Sequence, residues 1–481
     1  NEVKEEFKYI FEKSNNFVYE DEYLNFESYL KDFTEETFTQ FDSKANKLGL
    51  ESKIKDLMDS KVVNKTEDQA ALHPEYRKMC RLDADSALSD DFMSSAKNYD
   101  CGDVDLGVDF YNNIESELHK DSDIPVNIIS IGIGGSYEGP KLMLESNRYP
   151  NRYHKYPGNE RLKFEFLTGP DLGEFKIKVE HLNPKKTFFI VFSKSFKTIE
   201  TIQMLKAAIK WSGDNEKFLA LTANPEEPKK YGISHIHTFD KEIGGRYSIW
   251  LEDIESLFGG RWTSNSRMLT SGGLAADNML LSDKKYFNFV KYLAFSDIWM
   301  NNFNGKHIRL ILSYIWNLRS FPNYAQQLEM ESLGKPANKS SEFSKTGQVI
   351  FGGYGPIAEH SYLQLLHQGT QELCADIIAP DNNKNDLEYV KAVTQANLLS
   401  GGADDLSENE KINGNVPVNL FLIKKNVELD QGYDFTFEES LGYLIATWEH
   451  RTYITAMMLE INPFDQFGVI AGKQAVKKLL D

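Results

Sequence analysis

Hydroxyl side chains cluster in one short segment, where a predicted strand passes into a predicted helix. Ser193, Ser195, Thr198 and Thr201 follow the apolar run 188–192. Unpaired backbone N–H groups and the positive end of a helix dipole lie at a helix N-terminus. Hydroxyls at that point could therefore complete a cradle for a phosphate group without a metal ion. A capped helix after a buried strand explains the pattern equally well.

Two glycine-rich turns could bring backbone close to a small ligand. Residues 132–136 (Gly-Ile-Gly-Gly-Ser) follow the strand candidate 126–131, but their spacing is not that of a dinucleotide-binding loop. A tight turn is the alternative. In 244–248, glycines stand beside Arg246, whose guanidinium suits an oxyanion. A surface arginine after a glycine turn is equally common.

Several other side chains have types that could move protons. Glu331 ends a helical, aromatic stretch and is by default a solvated carboxylate. His360, Gln364 and His367 are predicted to lie on one helical face. Two histidines at helical spacing suggest zinc only when a third ligand is in view, and none is obvious, so we expect no metal.

Near the end of the chain, a further helix is predicted to carry polar groups. Gln466 and Lys473 are seven residues apart and would share one face of it. Lys477 and Lys478 are predicted to face solvent.

These side chains must be positioned by alternating strands and helices. Such alternation predicts an α/β fold with parallel strands and with ligands at their carboxyl ends. Residues 1 to about 95 contain few glycines and are predicted to form several helices, with Thr66 as the N-cap of a short one. The strand candidates are 126–131, 164–167, 188–192, 218–222 and 348–351, the last of which opens a second strand-loop-helix unit that ends at residue 370.

Composition restricts the class of protein. The 481 residues are 41% hydrophobic, enough for a sizeable core and about two domains. A net charge of −18 argues against a nucleic-acid surface. Three scattered cysteines fit a reducing compartment, and there is no apolar run of about 18 to 20 residues and no signal-peptide pattern. We therefore expect a cytoplasmic protein without a membrane span. Since the chain begins at Asn1 without methionine, some N-terminal sequence is expected to be missing.

Taken together, the motifs resemble the glucose-6-phosphate isomerase (phosphoglucose isomerase) family. The resemblance spans about residues 64 to 478. It implies two sugar-isomerase (SIS-type) domains, each a parallel-sheet α/β sandwich, with extra N- and C-terminal helices. We place an N-terminal helical segment packed on the large domain at 1–95, the small domain at 96–280 and the large domain with the C-terminal helices at 281–481. The motifs are 132–140, 193–201, 244–248, 330–335, 360–370 and 464–474.

The resemblance also implies roles for single residues. Glu331 would be the base that moves a proton between C1 and C2, and Arg246 the cation beside the enediolate. His360 and Lys473 would open the sugar ring. A carboxylate can take a proton next to a carbonyl, and the resulting oxyanion needs fixed positive charge where no metal is present. The residues implied to bind the phosphate or the sugar are Gly135, Ser136, Ser193, Lys194, Ser195, Thr198, Glu200, Gln327 and Gln466.

The chain departs from the family pattern at three places. Glu359 stands directly before His360 and could raise its pKa. Leu333 occupies a position where asparagine is commoner. Residues 249–267 read as an insertion that contains a second glycine-arginine pair, and we prefer Arg246 to Arg261 as the site arginine.

The activity implied is a cofactor-free, reversible isomerisation of glucose 6-phosphate to fructose 6-phosphate, as in glycolysis and gluconeogenesis, by a homodimer with shared active sites. Two alternatives stay open. One is an isomerase that also accepts mannose 6-phosphate, and the other is an inactive or regulatory sugar-phosphate-binding protein. An extracellular signalling role, known for some family members, has no sequence feature in its favour. We expect neither a nucleic acid nor a membrane as a partner.

Overall fold

The chain forms two compact units in a computed structural model that describes residues 17–78, 105–120, 124–146, 162–251, 263–381, 383–403, 406–424 and 436–480. The large unit comprises Asn1–Pro74 and Ser271–Asp481, and the small unit comprises Glu75–Thr270. The small unit is thus inserted into the sequence of the large one. The domain limits proposed above, at 95/96 and 280/281, stay predictions.

Strands and helices alternate through most of the described chain. The strands are β1 (Phe17–Glu20), β2 (Leu24–Ser28), β3 (Val126–Ile131), β4 (Leu162–Leu167), β5 (Thr187–Phe192), β6 (Phe218–Thr222), β7 (His235–Thr238), β8 (Ile308–Ser313), β9 (Val349–Tyr354), β10 (Leu373–Pro380) and β11 (Val418–Ile423). The helices are α1 (Glu35–Lys47), α2 (Leu50–Met58), α3 (Asp105–Lys120), α4 (Gly135–Ser146), α5 (Leu172–Val179), α6 (Ile199–Ser212), α7 (Glu226–Lys229), α8 (Thr263–Ser282), α9 (Lys284–Asn302), α10 (Phe321–Leu333), α11 (Gly355–Glu359), α12 (Leu363–Gln368), α13 (Leu387–Gly401), α14 (Thr436–Leu459) and α15 (Ile470–Leu480).

The small unit contains a five-stranded sheet in the order β4-β3-β5-β6-β7, in which every neighbouring pair is parallel. All residues of β3, β5 and β6 are buried. A parallel strand is covered on both faces, which is why these segments are continuous apolar runs rather than alternating ones. The apolar run 188–192 that precedes the hydroxyl cluster is therefore the central strand of this sheet.

The large unit contains a six-stranded sheet in the order β1-β2-β11-β10-β8-β9. The four strands β8 to β11 are parallel to one another, as predicted for an α/β fold. Strand β2 pairs with β11 in the antiparallel sense, and β1 pairs with β2. The α/β fold class and the parallel sheets are thus confirmed, and a hairpin extends the second sheet at one edge.

That hairpin corrects the prediction of helices in the first 95 residues. Helices α1 and α2 do form there, but residues 17–28 form two strands. Leu24, Phe26 and Ser28 alternate with less buried residues, which is the period of a strand with one covered face. Tyr19 stacks on Phe289 at 4.3 Å between ring centroids. The many acidic residues of this stretch concealed the alternation.

The described helices also bear on the expected absence of a membrane span. Among them, none combines the length and the apolar character that crossing a bilayer requires.

Candidate active site

A tight turn shapes the hydroxyl cluster at the carboxyl end of β5. Ser193 is buried, and its Oγ accepts a hydrogen bond from the Phe196 backbone N–H at 3.2 Å. The same N–H lies 3.1 Å from the Ser193 carbonyl oxygen. Phe196 is buried with φ of +53°, a left-handed conformation that non-glycine residues adopt only where the surroundings hold them. The turn fixes where α6 begins.

The first turn of α6 remains available to a ligand. Thr198 is the N-cap residue in an extended conformation, but its side chain makes no capping hydrogen bond. The hydroxyl of Ser195, which is exposed, accepts from the Lys197 backbone N–H at 3.3 Å. An anion at this point would meet N–H groups and hydroxyls at the positive end of a 14-residue helix. Neither hydroxyl caps α6, because Ser195 bonds to the N–H of Lys197, which precedes the helix, and Thr198 makes no capping hydrogen bond.

Two further loops meet this edge of the small-unit sheet. A Cβ on Gly132 would lie 3.2 Å from the Phe192 carbonyl oxygen, so the glycine turn after β3 abuts the end of β5. A Cβ on Gly135 would collide with the Gly245 carbonyl group. Both positions therefore require glycine for close backbone approach, and the second brings the N-terminus of α4 against the 3₁₀ turn Gly245–Trp250.

Arg246 lies in that 3₁₀ turn and is buried, with its guanidinium 5.6 Å from the centroid of the Tyr247 ring. The next four residues are also buried, and Trp250 stacks under the guanidinium of Arg77 at 4.5 Å. The start of the proposed insertion is thus part of the small-unit core. Arg261 lies outside the described residues, so the preference for Arg246 stays a prediction.

In the large unit, α10 carries Gln327 and Glu331 one turn apart, both half-buried. The opposite face of the helix is buried. Gln326 Nε2 donates to the Ile350 carbonyl at 2.6 Å and so attaches α10 to β9. Residues four apart share a helical face, so the amide and the carboxylate can contact the same ligand.

A buried carboxylate on the core-facing side of α10 holds the helix in place. Glu329 accepts from Trp448 Nε1 of α14 at 2.6 Å and forms an ion pair with Arg309 of β8. A residue two positions along a helix points to the other side, so fixing Glu329 in the core also fixes the direction of Glu331.

The ion pair belongs to a larger buried cluster of three carboxylates and two guanidiniums. Arg309 contacts Asp297 at 2.9 Å and Asp376 at 3.2 Å. Arg451 contacts the same two carboxylates at 2.6 and 2.8 Å. With Glu329, the carboxylates outnumber the guanidiniums by one in this buried cluster. Burial raises the pKa of Asp297 and of Asp376 to about 7, and Arg309 opposes the shift.

This excess charge predicts how stability depends on pH. A carboxyl whose pKa is raised by folding contributes to the free energy of unfolding. The contribution is fully present below the pKa of the unfolded chain, near 4, and it is lost as the pH rises to about 7. Asp376→Asn removes the excess charge, so its stability relative to wild type should improve across that window, by up to about 1.4 kcal/mol per pH unit. Urea unfolding midpoints at several pH values measure this. Asp32→Asn, at an exposed position, is the matched control, and an unchanged difference between Asp376→Asn and wild type over the window would contradict the prediction.

His360 corrects the prediction of one continuous helical face. It is the C-cap residue of α11, and the chain turns before α12 begins at Leu363. The N–H groups of His360 and Ser361 bond back to carbonyls three residues earlier, which tightens the turn and ends the helix. His367 is half-buried and bonds through Nε2 to Gln395 at 2.9 Å, whereas His360 is exposed. The two histidines therefore do not share a helix.

The acidic neighbour of His360 has partners of its own. Glu359 accepts from the Tyr314 hydroxyl at 2.9 Å and pairs with Lys391 at 2.7 Å. Its carboxylate is thus anchored toward β8 and α13.

Gln466 and Lys473 lie at the end of the large unit. Gln466 precedes a short 3₁₀ turn, and Lys473 lies on α15, none of whose residues is buried. The exposed apolar residues of α15 include Val476 and Leu480, which fall on the same helical face as Lys473.

The structure thus collects the predicted residues in two groups. The small unit brings together the loops that carry Gly135, Ser136, Ser193, Lys194, Ser195, Thr198, Glu200 and Arg246. The large unit holds Gln327, Glu331, His360, Gln466 and Lys473. No role was predicted from the sequence for Glu329, Lys335 or Asp465. Lys335 and Asp465 lie inside the motifs, and Glu329 lies directly before the motif 330–335. Within the described ranges, no group of three or more His, Cys, Asp or Glu side chains is placed to hold a metal ion.

The comparison with protein families shows which family the chain belongs to. The model of the family described as phosphoglucose isomerase matches residues 29–481. The chain belongs to the phosphoglucose isomerase family. This match includes every site residue named above, and the family predicted from the motifs is confirmed.

Individual phosphoglucose isomerases are similar over almost the whole chain. Glucose-6-phosphate isomerase of Stutzerimonas stutzeri (strain A1501) is 31% identical over 487 residues, with 92% of this chain and 83% of that protein covered. The Shewanella baltica (strain OS155 / ATCC BAA-1091) protein of the same name is 32% identical over 483 residues, with 92% and 84% covered. The crystal structure of a glucose-6-phosphate isomerase from Chlamydia trachomatis D/UW-3/Cx shares the fold, with a TM-score of 0.74, 21% identity, and 96% of this chain and 89% of that chain covered.

Proposed function

We infer that this chain is a glucose-6-phosphate isomerase, an intramolecular oxidoreductase that interconverts glucose 6-phosphate and fructose 6-phosphate. The family match over residues 29–481 carries the inference. The geometry is consistent with it, because the half-buried Glu331 stands on a helix fixed in the core, as a carbon base requires.

The small unit is proposed to hold the substrate phosphate. Ser193, Ser195 and Thr198 line the start of α6, with Lys194 and the Gly135–Ser136 loop beside them. Hydrogen bonds to a phosphate dianion are charge-assisted, so they fix the end of the substrate that does not react. Such binding positions C1 and C2 for the chemical steps.

The large unit is proposed to supply the proton transfers. His360 and Lys473 assist ring opening, in which the ring oxygen gains a proton and the anomeric hydroxyl loses one. Glu331 then takes the proton from C2 of the aldose and returns it to C1, the hydroxyl proton passes from O2 to O1, and the carbonyl group moves from C1 to C2. Arg246 stabilises the negative charge of the enediolate between these two transfers. Glu200, Gln327 and Gln466 are proposed to contact the sugar.

The activity should persist in EDTA, because the proposed chemistry uses only side chains. Formation of fructose 6-phosphate from glucose 6-phosphate, measured by a coupled assay in the presence of chelator, tests this directly. Loss of activity that one divalent metal restores would contradict it. Turnover of mannose 6-phosphate in the same assay would indicate the isomerase with the broader substrate range. Binding of glucose 6-phosphate without turnover would indicate the regulatory alternative.

Removing two hydroxyls from the cradle should weaken substrate binding. We expect Ser193→Ala with Thr198→Ala to raise the Michaelis constant by at least about tenfold and to change turnover less, since charge-assisted hydrogen bonds to a non-reacting group are lost. Steady-state kinetics measure both quantities. Ser212→Ala, which removes a hydroxyl at the opposite end of α6, is the matched control. An unchanged Michaelis constant would place the phosphate elsewhere.

A homodimer with shared active sites is also proposed. His360 is exposed in the single chain, and so is Ile357 one turn earlier, at 65%. An acid-base residue needs a shielded surrounding to act on a substrate, and a second copy of the chain would provide it. A cytoplasmic location is proposed as well, which the buried thiol of Cys374 and its lack of a disulfide partner support.

A further inference from the structure

Asp465 lies where three distant parts of the large unit meet. Its side chain is buried, although the next residue, Gln466, is exposed. Its Oδ1 accepts from Lys335 Nζ at 2.8 Å, and the same ammonium group also bonds to its backbone carbonyl. Lys335 lies directly after α10, so Asp465 is attached to the end of the helix that carries Glu331.

The other carboxylate oxygen of Asp465 is attached to the N-terminal part of the unit. Oδ2 accepts from Thr66 Oγ1 at 2.7 Å and from Asn462 Nδ2 at 3.0 Å. The Asn462 amide also lies 2.8 Å from Asn64 Oδ1. Thr66 is therefore not the helix N-cap predicted from the sequence. It lies in the turn closed by the Asn64–Gln69 bridge, and its hydroxyl is used across the fold instead.

The segment after Asp465 has no buried residue in the described chain. The residues from Gln466 to Leu480 are all exposed, and Leu479 reaches 87%. Packing within the described chain therefore does not fix the direction of α15, and its nearest support is the point where the chain leaves the core. That point is Asp465, eight residues before Lys473.

We propose that Asp465 is a positioning residue that fixes Lys473 relative to Glu331. The proposal rests on the function assigned above, because it needs Lys473 for ring opening and Glu331 for proton transfer. The clamp, defined here as Thr66, Lys335, Asn462 and Asp465, connects the end of α10 to the start of the segment that carries Lys473. Loss of the clamp should impair ring opening and should leave the transfer of the carbon-bound proton largely intact.

The two steps can be measured separately with two ketose phosphates. In cyclic fructose 6-phosphate, the bond between C2 and the ring oxygen must break, with one proton leaving the C2 hydroxyl and one reaching the ring oxygen. The analogue 5-deoxyfructose 6-phosphate has no hydroxyl at C5, cannot form the furanose ring and needs no opening. Exchange of a C1 proton into deuterium oxide, followed by NMR, reports the step of Glu331 for both substrates.

The expected result is a selective loss. Asp465→Ala should lower turnover of fructose 6-phosphate at least about tenfold, while the acyclic analogue stays within about twofold of wild type. Lys335→Met and Thr66→Val remove one link each and should show the same pattern more weakly, and Lys335→Arg should restore most of the lost turnover. These variants also carry the test if Asp465→Ala does not fold. Lys478→Met changes a cation of α15 outside the clamp and is the matched control.

Three outcomes overturn the clamp. The first is an equal loss of turnover on both substrates in Asp465→Ala, and the second is unchanged turnover of fructose 6-phosphate in that variant. The third is a turnover of Lys335→Arg no higher than that of Lys335→Met. The reference variant Lys473→Ala distinguishes a failure of the clamp proposal from a failure of the proposed function. If Lys473→Ala lowers the turnover of both substrates equally, Lys473 has no specific role in ring opening. Absence of isomerisation in the wild-type protein would refute the proposed function itself.

Discussion

Replacing Glu331 by glutamine is expected to lower turnover in both directions by about 10³-fold, because a neutral amide cannot accept the carbon-bound proton. Glutamine keeps the size of the side chain, and the contacts of Glu329 that fix α10 are unaffected. Substrate affinity should therefore stay close to that of wild type, since the phosphate is held by other residues.

Three measurements check this prediction. Steady-state kinetics give turnover, titration calorimetry with fructose 6-phosphate gives affinity, and NMR in deuterium oxide shows whether any deuterium enters C1. Glu388→Gln makes the same chemical change at an exposed position of α13 and should behave as wild type. Turnover of Glu331→Gln within about tenfold of wild type would remove Glu331 from the role of base.

The second large effect is restoration of activity from two inactive chains. His360→Ala and Glu331→Gln should each be almost inactive as pure proteins. If His360 completes the pocket of the partner subunit, a heterodimer of the two contains one pocket with both residues and one with neither. Its activity should reach up to about half that of a wild-type dimer, since one of two pockets is intact.

The subunits must exchange for this test, so the chains are co-expressed with different tags and the heterodimer is purified. The clamp at Asp465 supplies a matched negative control. It joins Lys473 to Glu331 within one chain, so a heterodimer of Lys473→Ala with Glu331→Gln should stay inactive. An inactive heterodimer of His360→Ala with Glu331→Gln would show that His360 acts in its own subunit's pocket or is not catalytic.

Much of the fold was accessible from the sequence, because buried parallel strands are continuous apolar runs. The limits of β3 and β6 were predicted without error, and β5 differs by one residue at its start. The hairpin of β1 and β2 was missed, since its one-sided alternation is short and interrupted by acidic residues. Its partner strand, β11, lies near the other end of the chain, and local patterns do not report such pairings.

The candidate site was predicted through its motifs, but its supports were not. Arg309 and Glu329 are 20 residues apart, whereas Asp465 and Thr66 are 399 apart, and nothing in either segment indicates the other. The break between α11 and α12 was missed for a different reason. The apolar period continues through His360, and only the turn hydrogen bonds of His360 and Ser361 end the helix.

The position of β2 beside β11 has a consequence for synthesis on the ribosome. The small unit is a continuous stretch and can fold once Thr270 has emerged, but the large-unit sheet must wait for Ile423. Until then, the edge of β2 that β11 will cover remains unpaired and open to strands of other chains. Nascent chains stalled between these two residues should therefore depend on chaperones.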